Sequence, residues 1–592
     1  MPPRVSKPRA GLTRLWRYTL GRRRRLTAVM VLAAVSAAAP VAAWGIVGDA
    51  IDNGIKAGDE QRLTIDVVAY LGVGAAAWVL GTTTWILLAG IGQRVVLELR
   101  RDLFDHLTSL SHRYFSQQKA GWIIARLTSD VDALSDVLNQ GLMTLVVNTM
   151  TLIAAIGGLF LLDWRLGLVA LLVLPPGILV TRWFQRTSHV AFADVRTRIA
   201  AVTAQLAESV SGMAVVQAFN RESTFQREFE ELNEANRVAN VHAQKLSSIF
   251  FPAIEFLGVS ATVLVLFTGS RLIDGGSLEL GTLIAAVGML QLVFQPLQEL
   301  SELYGQVQSA SAAMDKIATV LDAERDIIDL PDAKPLGRID GHLEVDEVVF
   351  GYGDEPVIKG ISFDVPAGAC LALVGESGGG KSTTAKLIAR FYDPDRGAVR
   401  IDGVDLRSIE LRSYRRQLGV VLQDPFLFSG TIADNIRFGR PEASDAEVAA
   451  AAKAIGVDRV ADRFPEGLEH TVREGGAGLS AGERQLISIA RALLADPRIL
   501  ILDEATSNID RPAERAIEEA FDTLLRGRTS VIIAHRLTTV RRADEILVVE
   551  HGKIAQRGRY AELLTEDGAF KRLATTMHGV ATDPAGGLTR QA

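Results

Sequence analysis

Long runs of apolar residues, separated by polar segments, dominate the first half of the chain. A helix needs roughly 20 consecutive apolar residues to cross the hydrocarbon core of a bilayer. Buried helices of a soluble protein are a poor alternative, because so many near-uncharged runs occur together. The pattern therefore predicts an all-α polytopic membrane domain with six transmembrane helices over residues 26–321. The apolar runs lie at 26–48, 65–92, 138–162, 164–184, 248–273 and 279–299.

The polar segments between these runs differ in length. Those after the first, third and fifth runs are short, whereas those at 93–137 and 185–247 are long and show helical periodicity with mixed charge. We therefore expect the transmembrane helices to extend well beyond the bilayer into the cytoplasm. Each long segment contains a short break, one near 114–121 and the other near 208–222.

The basic residues predict the orientation of the membrane domain. Residues 1–25 are rich in arginine and contain no acidic residue, whereas the next loop, near 49–66, is mostly acidic. Basic segments remain in the cytoplasm, so we expect a multi-pass protein of a bacterial plasma membrane with a cytoplasmic N-terminus. Leucine and aromatic residues among the arginines favour a short interfacial helix. An organelle transit peptide is the alternative, which the direct contact of the arginines with the first run disfavours.

The long apolar runs stop in the second half, and residues 341–577 have the composition of an ordinary α/β domain. Residues 322–340 are charged and contain two prolines, so we interpret them as a linker. Residues 578–592, rich in Gly, Thr and Ala, are expected to form a mobile tail. A chain of 592 residues is too long for one hydrophobic core. The predicted fold class is therefore multidomain.

The overall composition narrows the range of functions. Hydrophobic residues make up 48% of the chain, which is high for a soluble protein of this length. The formal net charge of −6 is small and argues against nucleic acid as a partner. Cys370 is the single cysteine and cannot form an internal disulfide, so we interpret it as a small core residue.

A phosphate-binding loop follows the strand-like run 371–374. Residues 375–382 read Gly-Glu-Ser-Gly-Gly-Gly-Lys-Ser, which has the spacing of this motif, and a predicted helix follows. The glycines allow backbone N–H groups to approach phosphate oxygens, and the helix N-terminus adds a favourable dipole. We expect Lys381 to reach the β- and γ-phosphates of a nucleotide and Ser382 to hold Mg²⁺.

An acidic pair follows another buried-strand pattern, at 499–502. Asp503 can hold Mg²⁺ through water, and Glu504 can polarise the water that attacks the γ-phosphate. Such a pair is weak support alone, but here it follows a phosphate loop by about 120 residues in one α/β domain. Phosphoryl transfer needs mainly positioning and charge neutralisation, so the pattern predicts a P-loop nucleotide-binding domain that uses Mg²⁺.

The segment Leu-Ser-Ala-Gly-Glu-Arg-Gln at 479–485 precedes a predicted helix, and with it the chain resembles a known family. From about residue 10 to 577 it is similar to an exporter-type half-transporter of the ATP-binding cassette (ABC) superfamily. The resemblance implies that Tyr352 stacks on adenine and that the phosphate loop consists of Gly375, Ser377, Gly378, Gly379, Gly380, Lys381, Ser382 and Thr383. It implies that Asp503 and Gln423 bind Mg²⁺, that Gln423 also positions water, and that Glu504 is catalytic. Ser480 and Gly482 would belong to the signature, Asp510 to the D-loop, and His535 would be the switch histidine.

The resemblance also implies a mechanism. In this family two cassettes meet head to tail, and ATP lies between the phosphate loop of one and the signature of the other. A chain with one cassette therefore needs a second half-transporter. The breaks near 114–121 and 208–222 would be coupling helices that transmit cassette motion to membrane helices, which alternate between inward- and outward-facing states.

Four positions depart from the usual pattern of the family. In the signature, Ala481 and Glu483 replace a glycine and a glutamine, and the added negative charge would weaken a γ-phosphate contact. In the X-loop, Gly475 replaces the arginine that usually follows Glu474, and Asn508 departs from the commonest D-loop. These features resemble the catalytically intact member of a heterodimeric exporter, so a heterodimer is favoured over a homodimer.

A few polar side chains at membrane depth are candidates for substrate contact. They are Glu255 in the fifth run and, on one face of the sixth, Gln291 and Gln295 with Gln298. Hydrogen bonds between helices explain each of them equally well.

The leading hypothesis is ATP-driven export of an amphipathic small molecule, drug or lipid across the bilayer. An importer on the exporter scaffold, as in some siderophore systems, and a nucleotide-gated channel are the alternatives.

Overall fold

The computed structural model describes residues 23–503, 511–534 and 536–578, and they form two compact units. The first unit comprises the described residues up to Ser109 together with Gln118–Ala323. The second comprises Leu110–Gln117 and the described residues from Glu324 onward. Almost all of the predicted N-terminal segment and C-terminal tail lie outside the described residues.

The first unit contains six helices that are long and apolar enough to cross a membrane, as the sequence predicts. A helix rises about 1.5 Å per residue, so the 50 residues of the second membrane helix extend about 75 Å. This exceeds the roughly 30 Å hydrocarbon core, and the predicted extension beyond the bilayer is confirmed. The helices up to the first cassette strand are α1 (Arg23–Asp49), α2 (Glu60–Ser109), α3 (His112–Gln117), α4 (Ala120–Leu127), α5 (Ser129–Asp136), α6 (Leu142–Leu162), α7 (Trp164–Ser211), α8 (Met213–Ala218), α9 (Glu222–Asp274) and α10 (Leu280–Leu321), with π-helical turns at Ala50–Ile55 and Val137–Gly141.

Both predicted breaks contain a short helix. The first is α3, which belongs to the second unit, and the other is α8, which belongs to the first unit. Gly212 and Phe219 flank α8 outside ideal helical geometry, which separates it from the long helices before and after it.

The N-terminus of α10 is fixed against α1 at the end of the unit where α10 begins. The carboxylate of Asp52 accepts hydrogen bonds from the backbone N–H groups of Gly281 (2.8 Å) and Thr282 (3.1 Å), donors that have no partner within their own helix. A Cβ atom on Gly281 would lie 2.1 Å from the carbonyl oxygen of Gly48, so glycine is required for this approach. The contact fixes the helix that carries the polar side chains described below.

The second unit is an α/β domain with a six-stranded sheet in the order β12-β11-β3-β10-β9-β6. All neighbouring pairs in it are parallel except β11–β12. A four-stranded antiparallel sheet has the order β2-β1-β4-β5, and β7 pairs with β8. The strands are β1 (Leu343–Phe350), β2 (Ile358–Val365), β3 (Cys370–Val374), β4 (Arg396–Ile401), β5 (Val404–Asp405), β6 (Leu418–Val421), β7 (Gly430–Thr431), β8 (Thr471–Val472), β9 (Ile499–Asp503), β10 (Thr529–Ile533), β11 (Glu545–Glu550) and β12 (Lys553–Gly558).

Both faces of the larger sheet are buried. Alternate residues of β9 join two different cores, Leu500 and Leu502 on one side and Ile499 and Ile501 on the other. A parallel sheet buried on both faces has such continuous apolar strands. The helices are α11 (Lys381–Ile388), α12 (Leu411–Arg415), α13 (Ile432–Arg437), α14 (Asp445–Ile455), α15 (Val457–Ala461), α16 (Ala481–Leu494), α17 (Arg511–Leu525), α18 (Leu537–Val540), α19 (Tyr560–Thr565) and α20 (Ala569–His578), with 3₁₀ turns at Leu406–Ser408, Gly467–Glu469 and Glu474–Gly476.

The segment interpreted as a linker is attached to this domain from Glu324 onward. The backbone N–H groups of Leu336 and Ile339 donate to the side chains of Ser413 (2.9 Å) and Gln417 (3.0 Å). Arg390, only 1% exposed, donates to the carbonyl oxygens of Ile409 (2.8 Å) and Ile328 (3.5 Å). These bonds attach the segment to the cassette.

Candidate nucleotide site

Four parallel strands bring the predicted nucleotide residues to one edge of the larger sheet. In register, Ile533 of β10 pairs with Leu373 of β3 and with Asp503 of β9. The phosphate loop begins directly after β3, and Gln423 follows β6 by two residues. Ligands of open α/β sheets bind outside the carboxyl ends of their strands. The fold therefore places the phosphate loop, Asp503 and Gln423 along the edge where a nucleotide would bind.

Three predicted residues lie outside the described part of the chain: Glu504, Asp510 and His535. Glu504 directly follows β9, and His535 follows β10 by two residues.

The phosphate loop requires glycine at positions where its backbone is both left-handed and crowded. Gly375 has φ +149°, and a Cβ atom there would lie 2.1 Å from the carbonyl oxygen of Val549. Gly380, at the start of α11, has φ +107°, and its Cβ would lie 2.6 Å from the Cδ1 atom of Ile358. Ser377 and Gly378 at the tip of the loop are exposed, whereas Gly379 is buried. The glycines thus allow the loop to turn tightly into the start of α11.

Lys381 is the buried cation of the loop, with 5% of its surface exposed. Its Nζ atom donates to the carbonyl oxygens of Gly375 (2.7 Å) and Glu376 (2.8 Å). Burial lowers the pKa of this ammonium group, and the carboxylate of Asp503 opposes that shift. The phosphate loop and the end of β9 are therefore electrostatically coupled, which is the pairing a bound magnesium nucleotide needs.

The first turn of α11 offers two hydroxyl groups in different surroundings. Ser382 is exposed, whereas Thr383 is buried with 7% exposure. The Oγ1 atom of Thr383 lies 3.3 Å from the phenolic oxygen of Tyr352, whose side chain is 42% exposed. The structure thus brings the predicted adenine-stacking aromatic to the phosphate loop helix.

Tyr352 belongs to an aromatic cluster that sequence reasoning missed. The Tyr392 ring packs edge-on at 5.3 Å from Tyr352. The Tyr392 ring also lies near the His112 ring of α3, with 6.0 Å between centroids. His112 also lies 5.3 Å from the ring of Phe391. Because His112 and Tyr392 are 280 residues apart in the sequence, no local pattern indicates this contact.

The signature segment forms the N-terminal cap of α16. Ser480 Oγ accepts from the backbone N–H of Glu483 at 3.3 Å, and the Glu483 carboxylate accepts from the backbone N–H of Ser480 at 2.8 Å. The same carboxylate pairs with Arg463. Glu483 is 8% exposed and Gly482 is buried beside it. The negative charge that the sequence suggested would weaken a phosphate contact is therefore used in a capping box and matched by a guanidinium group.

The departure in the X-loop also has a local explanation. Gly475, beside Glu474 in a 3₁₀ turn, has φ +69° and ψ 6°, a left-handed conformation that costs other residues about 1–2 kcal/mol. Its backbone N–H donates to the carbonyl oxygen of Leu427 at 3.0 Å. Glycine at this position therefore suits the turn itself.

The membrane unit contains the predicted polar side chains. Glu255 is exposed on α9, and Gln291 and Gln295 are exposed on α10. The Nε2 atom of Gln295 donates to Glu299 at 3.0 Å. Sequence reasoning did not select Glu299, although it continues the four-residue spacing of Gln291 and Gln295.

Cys370, near the phosphate loop, is partly buried, and burial raises the pKa of its thiol to about 12, so it is a poor nucleophile.

Comparisons with known proteins identify both halves of the chain. Residues 26–297 match the family described as ABC transporter transmembrane region, and residues 358–507 match the family described as ABC transporter. A solved bacterial Atm1-family ABC exporter with ATP bound superimposes with a TM-score of 0.79 at 28% identity, covering 95% of this chain and 99% of that one.

Two curated relatives from Mycobacterium bovis differ in their cargo. The fatty acid ABC transporter ATP-binding/permease protein is 37% identical, with 87% of this chain and 81% of the relative covered. The multidrug efflux ATP-binding/permease protein is 34% identical, with 92% of this chain but 46% of the relative covered. This chain therefore spans about half the length of the multidrug relative.

Proposed function

The chain belongs to the ABC transporter family, and we propose that it is one half of an exporter that moves an amphipathic compound out of the cell. It is a multi-pass plasma-membrane protein with a cytoplasmic ATP-binding cassette, and ATP hydrolysis is coupled to transport. The observation that carries the proposal is the sheet edge at which the phosphate loop, Asp503 and Gln423 converge, in a chain with six membrane-spanning helices.

The proposed nucleotide site uses Mg²⁺ together with ATP. The Ser382 hydroxyl, the Asp503 carboxylate and the Gln423 side-chain carbonyl are oxygen donors, which suit Mg²⁺, a cation that also keeps several of its waters. When bound with ATP, Mg²⁺ would neutralise the negative charge that develops during phosphoryl transfer. Lys381 would exchange its two loop carbonyl partners for β- and γ-phosphate oxygens, and Tyr352 would stack on adenine. Glu504 and His535 would orient the attacking water and the γ-phosphate.

Exposed apolar surface supports a second subunit. In the cassette, Phe426, Phe428 and Phe438 pack on one another, with Phe428 and Phe438 stacked at 4.7 Å, yet each remains 45–59% exposed. In the membrane unit, Val215 of α8 and the adjacent Phe219 are 62% and 73% exposed. Exposed apolar clusters mark interaction surfaces. We infer that a partner half-transporter covers both surfaces.

The partner is either a second copy or a different half-transporter. The sequence favours a heterodimer because of Ala481, Glu483, Gly475 and Asn508, and the heterodimer stays a prediction. Glu483 and Gly475 each have a local structural role, so these two positions are weaker support for a heterodimer. Asn508 lies outside the described residues. Copurification from native membranes, followed by mass spectrometry of the partner, decides between the two assemblies.

The proposed site is tested by ATP hydrolysis in lipid nanodiscs. We expect Mg²⁺-dependent hydrolysis by the wild-type transporter, weakened ATP binding on Lys381→Ala, and retention of binding without hydrolysis on Glu504→Gln. Equal hydrolysis by wild-type and both variants, measured with the partner's own site silenced, would place the chemistry elsewhere.

A further inference from the structure

The formal charge that α9 and α10 carry through the membrane region is entirely negative. Along α10 the first basic residue is Lys316, and along α9 no Lys, Arg or His lies between Lys245 and Arg271. Within these stretches the charged residues near membrane depth are Glu255 and Glu299, and Glu302 lies one turn further along α10. Ionisable groups in transmembrane helices are costly and usually face a cavity or pathway.

The contact of Glu299 with α6 allows its depth in the membrane to be inferred. The Nδ2 atom of Asn148 donates to Glu299 Oε2 at 2.7 Å. Asn148 precedes the end of α6, at Leu162, by fourteen residues, which corresponds to about 21 Å along the helix. This is less than the roughly 30 Å hydrocarbon thickness. The predicted orientation makes Leu162 the outer end, so the carboxylate lies in the cytoplasmic half of the membrane.

The carboxylate of Glu299 is oriented but not neutralised. One oxygen accepts from Asn148 and the other from Gln295 at 3.0 Å, so two neutral amide groups fix its direction. Within the described part of the chain, no Lys, Arg or His nitrogen lies within 4.0 Å of it. A carboxylate offers about four lone-pair positions, and two are used here. The remaining lone-pair positions are available to a further donor.

One side of this group is built into the protein and the other is open. Asn148 is 8% exposed, so its amide is held by the packing of α6. Gln295 is exposed and Glu299 is half-buried. A fixed donor behind the carboxylate and an open side in front of it form a preorganised acceptor for a cation.

We propose that Glu299, positioned by Asn148 and Gln295, binds the cationic group of an amphipathic substrate, an assignment that rests on the proposed export function. The apolar body of the substrate would lie along the membrane helices while its charge pairs with the carboxylate. Anionic amphipaths such as fatty acids would be repelled by the same group. We therefore expect this chain to carry cationic substrates, unlike the fatty acid named for its relative.

The binding test uses ligands that share an apolar body and differ in charge. Tetraphenylphosphonium and tetraphenylborate form one pair, and dodecyltrimethylammonium and dodecanoate form another. Binding to the full transporter, purified with its partner into nanodiscs, is followed by intrinsic tryptophan fluorescence without nucleotide. We expect each cation to bind at least tenfold more tightly than its anionic counterpart. We expect Glu299→Gln to reduce that ratio at least tenfold, and Glu299→Asp to restore part of it.

Glu302→Gln is the matched control, because it removes the same charge one helical turn away from the two amide groups. It should leave the cation preference within twofold of wild type. Anion preference, failure of both cations to bind, or an equal effect of Glu302→Gln would each overturn the assignment. Mg²⁺-dependent ATP hydrolysis, measured on the same preparation, separates these outcomes from failure of the proposed function, since a wrong assignment at Glu299 leaves hydrolysis intact.

Discussion

Ser480 and Glu483 hold each other through reciprocal hydrogen bonds at the start of the signature helix. The Glu483 carboxylate accepts from the backbone N–H of Ser480, and Ser480 Oγ accepts from the backbone N–H of Glu483. The pair satisfies two N–H groups that lack partners within the helix. A residue at this position thus acts first as a helix cap, a role that glutamine fills as well as glutamate.

We expect Glu483→Gln to leave ATP hydrolysis within about twofold of wild type, because the amide oxygen preserves the cap. Only the ion pair with Arg463, whose side chain is 56% exposed, is lost, and such pairs contribute about 0–1 kcal/mol. Glu483→Ala should lower the stability of the cassette by about 1 kcal/mol. Turnover and thermal melting of purified transporter measure both effects. A tenfold loss of turnover in Glu483→Gln alone would show that the negative charge itself takes part in catalysis.

Glu504→Gln should lower hydrolysis at this chain's site by roughly 10²- to 10⁴-fold, the usual contribution of a general base. ATP should still bind, because Lys381 and the phosphate loop are unchanged. Phosphate release and retained labelled ATP are measured with the partner's phosphate-loop lysine replaced. Wild-type turnover under these conditions would rule out Glu504 as the catalytic base.

Lys381→Ala should weaken ATP binding by about 10- to 100-fold, since hydrogen bonds to charged groups contribute about 1.5–3 kcal/mol. Fluorescent ATP titration provides the measurement. Lys359→Ala is the control, because this lysine is exposed on β2 of the same cassette. Similar affinities for the two variants would remove Lys381 from the nucleotide site.

His112 predicts an acid-sensitive contact between α3 and the rest of its unit. Burial and the nearby Lys386 ammonium lower the pKa of His112, so the neutral ring is favoured in the folded state. The stabilisation that the neutral His112 ring gives to the folded state is therefore complete above the ordinary histidine pKa. It is lost as the pH falls from that value through the lowered pKa of His112. We expect faster hydrogen exchange over residues 110–117 at about pH 5.5 than at about pH 7.5, the range in which histidine titrates.

The matched variant is His112→Phe, which keeps an aromatic ring against Phe391 and Tyr392 but cannot be protonated. Its exchange over residues 110–117 should change much less between the two pH values, after correction for intrinsic rates. Identical pH dependence in wild type and variant would show that His112 is not the group responsible for the effect.

Arg390→Met should destabilise the cassette by about 3–5 kcal/mol, the cost typical of breaking a buried ionic network. Arg390 contacts Asp393 at 3.3 Å, and its buried guanidinium also donates to backbone carbonyls. Thermal unfolding of the full transporter should show an earlier cassette transition. Arg396→Met, an exposed arginine of β4, should leave that transition unchanged.

Local patterns predicted much of this structure. The membrane helices were predictable because a bilayer imposes one length and one polarity on each span. The order of strand, glycine loop and helix around Lys381 follows from residues adjacent in the chain. The Ser480–Glu483 cap was also within reach of the sequence, since Ser-x-x-Glu before a helix is its usual signature.

The remaining features depend on contacts between distant residues. Asn148 and Glu299 are 151 positions apart, and only the packing of α6 against α10 joins them. The Tyr392–His112 contact likewise depends on α3 belonging to the cassette unit, which hydrophobic periodicity does not show. Charge patterns within one helix indicate a polar face, but the partner of that face is decided by tertiary structure.

The most direct test of ATP-driven export is uptake into sealed inside-out membrane vesicles that contain the transporter and its partner. Uptake of a graded set of radiolabelled cationic, neutral and anionic amphipaths is measured with ATP, without ATP, and with the Glu504→Gln variant. We predict ATP-dependent accumulation of at least one amphipath by wild type and none by the variant. Uptake that is equal with and without ATP, or a passive current through the reconstituted protein, would contradict it.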